Sequence, residues 1–417
     1  MDENSFLIDS GRLSPAANRK KHLLEADPAS RTNHMEYLPD MDQLSSDIMT
    51  KVMKTMNSYD CSRYTQEDVK RALGHETCST EDFKALLSPA ALPFLEKMAL
   101  RAKQETGRFF GNTVYVFTPL YIANYCTNYC VYCGFNCYND IVRKKLDMQE
   151  IEHEMKVIAD SGIEEILILT GESPEKSDVE YIGKACRLGK KYFRNIGLEI
   201  YPVNVDEYRY LHQCGVDYIT VFQETYDSDR YENLHLLGRK RIFPYRFEAQ
   251  ERAIIGGMRG VGMSALLGLG DFRQDALATA MHVYYLQKKY PHVEYSLSCP
   301  RLRPIVNNTN IRSLDVNETQ LCQILCAYRI FLPYVGITVS SRESQDFRNG
   351  IVKIAATKVS AGVSTGIGDH ENKYEGKDKQ DAGDEQFEIV DERTLDAMYR
   401  DIKSEGLQPV LNDYIYV

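Results

Sequence analysis

Short apolar runs alternate with helix-like stretches along the chain after Gly111, and this alternation constrains the fold more than any other feature of the sequence. The stretches between the runs, such as residues 147–161 and 273–290, have apolar residues at helical spacing. Strands that alternate with helices normally pair in parallel, because each helix brings the chain back to the start of the next strand. Eight runs have the length of buried strands: residues 114–119, 165–170, 198–203, 217–223, 261–268, 293–298, 335–340 and 352–357.

Eight strands in regular order favour closure of the sheet. We therefore predict an α/β fold, a (β/α)8 TIM-type barrel with a helical N-terminal extension and a short C-terminal extension; an open doubly wound sheet is the alternative. Thr65 and Ser79 resemble helix N-caps with capping boxes, which indicates the helical extension. The predicted parts are a poorly ordered lead-in at residues 1–41, a helical subdomain at 42–110, the barrel at 111–370 and a C-terminal extension packing on the barrel at 371–417.

Three cysteines lie within eight residues, directly after the first predicted strand. Cys126, Cys130 and Cys133 have the spacing C-x3-C-x2-C. Cysteine thiolates hold iron–sulfur clusters, normally one per iron, so three would secure three irons of a four-iron cluster and leave the fourth open. An open position distinguishes a reactive metal site from a structural one. The alternative is a zinc site completed by Cys137 or His153, although the sequence has no second C-x2-C-like knuckle for it.

The cysteine spacing, with Tyr132 before the last cysteine, resembles the radical S-adenosylmethionine (SAM) superfamily. The resemblance implies a four-iron–four-sulfur (4Fe-4S) cluster whose open iron binds SAM, and reductive cleavage of SAM to a radical that abstracts hydrogen from a substrate. It also implies contacts to SAM from Tyr132, Gly171 and Glu172. The last two stand where the superfamily has a Gly-Gly-Glu-like motif, and Thr170 replaces its first glycine.

Polar side chains also follow other predicted strands, at the end of the barrel where such enzymes have their active sites. Glu199 lies in an otherwise apolar strand, and its burial requires either a contact to SAM or a structural ion pair. Gln223 and Glu224 end the fourth predicted strand, and Ser340 ends the seventh.

Two arginines follow the sixth predicted strand. Arg301 and Arg303 lie in the run Pro-Arg-Leu-Arg-Pro, where the prolines stiffen the backbone. A guanidinium group binds a carboxylate through two parallel hydrogen bonds, so these side chains are candidates to bind an acidic substrate group.

Four stretches resemble the family of 2-iminoacetate synthases, the anaerobic tyrosine lyases of thiamine biosynthesis: residues 119–126, 222–226, 300–304 and 384–389. The resemblance implies a carbon–carbon lyase that cleaves the Cα–Cβ bond of L-tyrosine to 2-iminoacetate (dehydroglycine) and p-cresol, while SAM gives 5′-deoxyadenosine and methionine. The implied site residues are Cys126, Cys130 and Cys133 for the cluster, Tyr132, Gly171, Glu172 and Glu199 for SAM, Arg301 or Arg303 for the tyrosine carboxylate, and Gln223, Glu224 or Ser340 for its other polar groups.

The same resemblance implies thiazole synthase as a partner and an electron donor such as flavodoxin or ferredoxin. The nearest alternative is the tyrosine lyase that matures the FeFe-hydrogenase, whose C-terminal domain holds a second cluster. The last cysteines here are Cys299, Cys322 and Cys326, so we expect no second cluster. A further alternative is a non-catalytic electron carrier or metal-stabilised barrel, but a carrier would need four thiolates and a smaller body.

The formal net charge of −10 argues against nucleic acid and anionic membranes as partners. Eleven cysteines without an oxidative framework suggest a reducing compartment. The acidic N-terminus does not resemble a signal peptide, and no stretch approaches the roughly 20 apolar residues that span a bilayer. The sequence therefore predicts a cytoplasmic protein.

Overall fold

Eight parallel strands close into a barrel in the computed structural model, which describes residues 22–309, 311, 315–374 and 383–411. Closure comes from β10, which pairs with β1 as well as with β9. The predicted (β/α)8 barrel is thereby confirmed. The barrel strands are β1 (Thr113–Ala123), β3 (Glu165–Thr170), β4 (Asn195–Glu199), β5 (Tyr218–Glu224), β7 (Gly260–Ala265), β8 (Glu294–Ser298), β9 (Gly336–Val339) and β10 (Lys358–Ser360).

Three short strands lie outside this ring. β2 (Tyr129–Cys130) and β6 (His235–Leu237) form an antiparallel pair that includes the second cysteine of the motif. β11 (Gln408–Val410) runs parallel to the first residues of β1. Thus backbone hydrogen bonds join the cysteine run to β6 and join residues 408–410 to the barrel.

Helices alternate with the barrel strands and also precede them. None of the helices in the described ranges is long and apolar enough to cross a membrane. Before the barrel lie α1 (Ile48–Asn57), α2 (Gln66–Gly74), α3 (Thr80–Leu87) and α4 (Leu95–Phe110). Within and after it lie α5 (Met148–Asp160), α6 (Val179–Gly189), α7 (Val205–Gln213), α8 (Ser228–Leu234), α9 (Phe243–Phe247), α10 (Ala249–Ile255), α11 (Phe272–Lys289), α12 (Glu318–Phe331), α13 (Gln345–Ile351), α14 (His370–Tyr374) and α15 (Leu395–Ser404).

The early helices begin as their capping residues predict and pack on the outside of the barrel. The side chains of Thr65 and Ser79 accept hydrogen bonds from the third residue of their helices and complete capping boxes. In α3, Phe83 stacks on Phe331 of α12 with ring centroids 4.4 Å apart. The side-chain amide of Gln323 donates to two carbonyls at the end of α3 (2.8 Å each), so α3 is fixed to a barrel helix.

Two strands lie at positions that differ from the predicted ones. The apolar run at 352–357 is not a strand: the backbone N–H groups of Ala355 and Ala356 both donate to the carbonyl of Ile351, in turns that follow α13. A short apolar run is buried equally well as a helix end or as a strand, so its pattern does not distinguish them. The third strand ends at Glu199 and not at residue 203, and Pro202, which has no N–H for a ladder, lies beyond it.

The expected lead-in at residues 1–41 falls partly outside the described residues, which begin at 22. From there on the segment contacts the barrel near the cysteine run. Leu24 is buried in one apolar cluster with Tyr129, and Met41 is buried against Tyr245. The hydroxyl of Tyr37 donates to Glu248 (2.8 Å).

A buried ion pair fixes the segment that follows residue 383. Arg348 in the middle of α13 and Asp391 pair at 2.5 Å, and each side chain is 1 % exposed. Arg393 pairs with the same carboxylate at 2.5 Å. Burial lowers the pKa of Arg348 to about 10, although Asp391 acts in the opposite direction.

We predict that Asp391→Ala lowers the free energy of unfolding by about 3–5 kcal/mol, because it leaves the Arg348 guanidinium buried without its acid. Thermal and denaturant unfolding followed by circular dichroism measures the change. Glu67→Ala, which breaks the exposed Lys70–Glu67 pair, is the control and should leave the midpoint nearly unchanged. Equal midpoints for the two variants would contradict the prediction.

Candidate functional site

The cysteine run follows the carboxyl end of β1 and is held against the loop that follows β3. The N–H of Thr127 donates to the carbonyl of Glu172 (3.0 Å), and the N–H of Gly171 donates to the carbonyl of Ala123 (2.8 Å). A Cβ atom at Gly171 would lie 2.3 Å from the carbonyl oxygen of Tyr125. Only glycine therefore lets the two loops approach this closely.

The thiols of Cys126, Cys130 and Cys133 line one cavity at this end of the barrel. Burial raises the pKa of Cys126 to about 12 and also raises the pKa of the other two thiols. Cysteine binds metals as thiolate, so metal binding here has to displace the thiol protons. Three soft donors in a buried cavity fit an iron–sulfur cluster with one iron left open.

The two candidates for a fourth metal ligand lie away from this cavity. Cys137 does not line it. His153 is half-exposed on α5 and lies 3.1 Å from Glu371. Neither side chain therefore lines the cavity together with the three cysteines.

Glu172 is the centre of a buried charge network beside the cysteines. One carboxylate oxygen pairs with Arg246 (2.8 Å), and the other accepts a hydrogen bond from the amide of Asn128 (2.8 Å). Lys240 lies 3.8 Å from the same group. Burial raises the pKa of Glu172, but Arg246 and Lys240 outweigh it and hold the pKa below its usual value. The carboxylate is therefore charged.

Glu224 belongs to the same network. It pairs with Lys240 (2.6 Å) and lies 3.5 Å from Arg246. Its backbone has φ of +73°, in the left-handed region that non-glycine residues rarely adopt. Backbone strain of this kind persists where the surroundings fix the residue, and it is concentrated at functional sites.

Seven of the predicted site residues line the cysteine cavity together: Cys126, Cys130, Cys133, Gly171, Glu172, Glu199 and Glu224. Thr170, which replaces the first glycine of the motif, also lines it, and its hydroxyl is buried without a hydrogen-bond partner among the described residues.

Two predicted residues point elsewhere. The hydroxyl of Tyr132 lies 2.8 Å from Nε2 of His235, and its ring meets the His235 ring edge-on, so this side chain lies behind the cysteine loop. Gln223 is on the outer face of β5, where both atoms of its amide are buried and have no hydrogen-bond partner in the described part of the chain.

The two predicted arginines are both held by Glu343. The Nε atom of Arg301 lies 3.0 Å from each oxygen of that carboxylate, and its Nη1 donates to the carbonyl of Val316 (3.1 Å). Arg303 donates to the same carboxylate (3.3 Å). In this structure, both guanidinium groups therefore already contact an acid.

A second cavity, of about 470 Å³, occupies the interior of the barrel. The predicted residues Glu199 and Ser340 line it, together with Arg342. It shares Glu199, Thr220 and Phe222 with the cysteine cavity. The two cavities therefore meet at the carboxyl ends of β4 and β5.

Arg342 lies in the polar run 340–343 that ends the seventh predicted strand, but no role was predicted for it from the sequence. Its guanidinium carbon lies 3.3 Å from the centroid of the Phe387 ring, and within the described ranges it forms no ion pair and no hydrogen bond. Burial lowers its pKa. Its position two residues after Ser340, at the end of a predicted strand, is the signal that indicates such a role.

Lys240, Arg246 and Asn128 were also missed. Lys240 and Arg246 lie in the segment between β6 and β7 and reach the cavity from its side. Their partners, Glu172 and Glu224, are distant in sequence, so no local motif marks the contact.

Comparison with known proteins gives two family matches. Residues 120–282 match the model of the radical SAM superfamily, and residues 298–408 match the Biotin and Thiamin Synthesis associated domain. The 2-iminoacetate synthases of Escherichia coli K12 and Salmonella typhimurium LT2 are each 37% identical over 351 residues, which cover 84% of this chain and 91% of the relative. The solved structure of the FeFe-hydrogenase maturase HydG from Carboxydothermus hydrogenoformans is similar with a TM-score of 0.79 and 27% identity, covering 89% of this chain and 86% of that chain.

We predict that Cys130→Ala lowers the iron and sulfide content after anaerobic reconstitution, because the variant lacks one of the three thiols that line the cavity. Cys137→Ala removes a thiol that lies outside the cavity and is the matched control, with unchanged iron content. Iron and sulfide assays and visible absorption measure the outcome, and circular dichroism monitors the fold. Wild-type iron content in Cys130→Ala would contradict the assignment.

Proposed function

The chain belongs to the 2-iminoacetate synthase family of radical SAM enzymes, and we propose that it cleaves the Cα–Cβ bond of L-tyrosine to 2-iminoacetate and p-cresol. Membership makes it a radical SAM lyase and implies a 4Fe-4S cluster and SAM. The proposal depends chiefly on one geometric observation: the cysteine cavity and the barrel cavity share a wall at Glu199, Thr220 and Phe222.

Cys126, Cys130 and Cys133 would hold the cluster, which together with SAM supplies a radical that abstracts hydrogen. The open side of the cysteine cavity contains both signs of charge. Glu172 pairs with Arg246 (2.8 Å) and Lys240 pairs with Glu224 (2.6 Å), so a zwitterion bound by Glu172 and Lys240 would replace these contacts with its own two charges. Glu172 would then bind the amino group of SAM, and Lys240 would bind its carboxylate.

The barrel cavity is the proposed site for tyrosine. Its volume of about 470 Å³ lies within the range of small-molecule sites. Aromatic side chains such as Tyr218 and Phe222 line it, together with hydroxyl groups such as those of Ser296 and Thr338. Such a lining suits a substrate with an aromatic ring and a phenol.

Arg342 is our candidate to anchor the tyrosine carboxylate. It lines the barrel cavity and has no acidic partner in the described part of the chain. Arg301 and Arg303, predicted for this role from the sequence, would have to leave Glu343 first. Binding by Arg342 needs no such exchange. Ser340 lines the same cavity and can donate a hydrogen bond beside it.

We also propose a place for the enzyme in thiamine biosynthesis. The match to the Biotin and Thiamin Synthesis associated domain supports it. An imine such as 2-iminoacetate hydrolyses readily in water, so a thiazole synthase that consumes it is the proposed partner. The radical reaction also needs an electron donor, such as flavodoxin or ferredoxin.

A direct test is anaerobic incubation of the reconstituted enzyme with tyrosine, SAM and a chemical reductant. We expect p-cresol, 5′-deoxyadenosine and glyoxylate, the hydrolysis product of 2-iminoacetate, and we expect none of them from Cys130→Ala. Chromatography with mass detection measures all three. Carbon monoxide and cyanide in place of glyoxylate would support the hydrogenase-maturase activity, which the similarity to HydG makes the second candidate.

We predict that Arg342→Gln raises the KM for tyrosine about 10- to 100-fold, because a charge-assisted hydrogen bond to a carboxylate contributes about 1.5–3 kcal/mol. Steady-state p-cresol formation measures it. Arg303→Gln makes the same replacement at a residue that leaves the Glu343–Arg301 pair in place, and we expect a smaller effect. A larger rise in KM for Arg303→Gln would indicate that the tyrosine carboxylate is bound by the arginines that follow β8, as the sequence predicts.

A further inference from the structure

Glu199 is a carboxylate on the wall between the two cavities. It lies at the end of β4 and lines both the cysteine cavity and the barrel cavity. Within the described residues its carboxylate forms no hydrogen bond and no ion pair. It can therefore bind a ligand without giving up a partner, whereas Glu172 and Glu224 are already paired.

The groups around Glu199 leave its charge only partly compensated. Burial raises its pKa to about 7, with Arg342 acting in the opposite direction and Glu224 adding to the rise. The titratable and charged side chains that face it from the surrounding elements are Tyr121 on β1, Glu224 at the end of β5, Lys240 and Arg246 before β7, and Arg342 after β9.

Glu199 and Arg342 together match the two charges of an α-amino acid. Both line the barrel cavity, they have opposite charges, and they do not pair with each other within 4.0 Å. If the carboxylate of tyrosine is bound by Arg342, its ammonium group is the natural partner of Glu199. This step rests on the proposed function.

The proposed reaction requires a change in the protonation state of that ammonium group. The zwitterion of tyrosine has three N–H bonds, whereas 2-iminoacetate retains one. Between them the substrate loses one proton, one hydrogen atom and the 4-hydroxybenzyl radical. Abstraction of a hydrogen atom from nitrogen then acts on the neutral amine, so a base has to accept the proton first.

We propose that Glu199 is this base: it binds the ammonium group of tyrosine and accepts one proton from it. One N–H bond breaks with its electron pair remaining on nitrogen, one O–H bond forms on the Glu199 carboxylate, and no electron is gained or lost by either group. The step needs no reactant other than tyrosine. A carboxylate whose pKa is near the pH of the medium is suited to such a transfer.

The sign of the pH dependence follows from this role. Glu199 accepts a proton only when it is ionised, so kcat/KM for tyrosine should rise as the pH increases through about 7, the raised pKa of Glu199, and then level off. This rise is the acidic limb of the pH profile. Glu199→Gln should abolish the acidic limb and lower kcat about 10²- to 10⁴-fold. Glu199→Asp retains the carboxylate and should retain a limb at reduced rate.

Binding measurements on the reconstituted enzyme distinguish a role of Glu199 as the base for tyrosine from a role in binding SAM. With Glu199→Gln, we expect weaker binding of tyrosine but unchanged binding of 3-(4-hydroxyphenyl)propanoate, which lacks the amino group. SAM binding should be unchanged. Calorimetry measures the three affinities, and iron content and circular dichroism check the variant.

Two results would overturn the proposal. One is an acidic limb that persists in Glu199→Gln. The other is a loss of SAM affinity with unchanged tyrosine affinity, which would assign Glu199 to SAM, as the sequence predicts. If the wild-type enzyme makes no p-cresol from tyrosine, the proposed function itself is wrong. If the wild-type enzyme does make p-cresol and either of the two results above is found, only the proposed role of Glu199 is wrong.

Discussion

The site depends on the mutual compensation of four buried charges. Glu172 and Glu224 carry two negative charges beside the cysteines, and Arg246 and Lys240 supply two positive ones. A buried charge that loses its partner is strongly destabilising, so the four side chains constrain one another's positions. Glu172 also holds the cysteine loop, because its carbonyl accepts from Thr127 and its carboxylate from Asn128. Glu172 therefore contributes both to the charge balance of the cavity and to the position of the cysteine loop.

Most of the barrel could be predicted because each strand is a local apolar run between helical stretches. The wrong strand prediction arose where the local sequence pattern is ambiguous. Residues 352–357 are apolar but follow α13 as turns, and only their tertiary surroundings distinguish a buried turn from a buried strand. The capping boxes at Thr65 and Ser79 were predictable because all their interactions lie within four residues. The domain limits predicted from the sequence stay predictions.

The sequence predicted which side chains lie together at the candidate site where a motif is contiguous, and it did not where a partner is distant in the chain. The cysteines, Gly171 and Glu172 lie in short motifs, and one cavity brings them together. The sequence did not indicate that Glu343, some forty residues after Arg301, contacts both arginines of that run. The direction of the Gln223 side chain could be predicted, because side chains alternate along a strand: Phe222 faces the barrel interior, so Gln223 faces outward.

Small residues in the sequence of the barrel strands account for the open interior. Barrel cores are normally filled by layers of branched side chains, but here β7, β8 and β9 place Gly262, Ser296 and Thr338 toward the axis. A Cβ atom at Gly262 would lie 2.5 Å from Oγ1 of Thr220, and Thr220 borders both cavities. Small residues on these strands keep the interior open up to the wall where Glu199 lies. Under the proposed function, a substrate held there would lie next to the cysteine cavity, where the radical would form, because the two cavities share Glu199, Thr220 and Phe222.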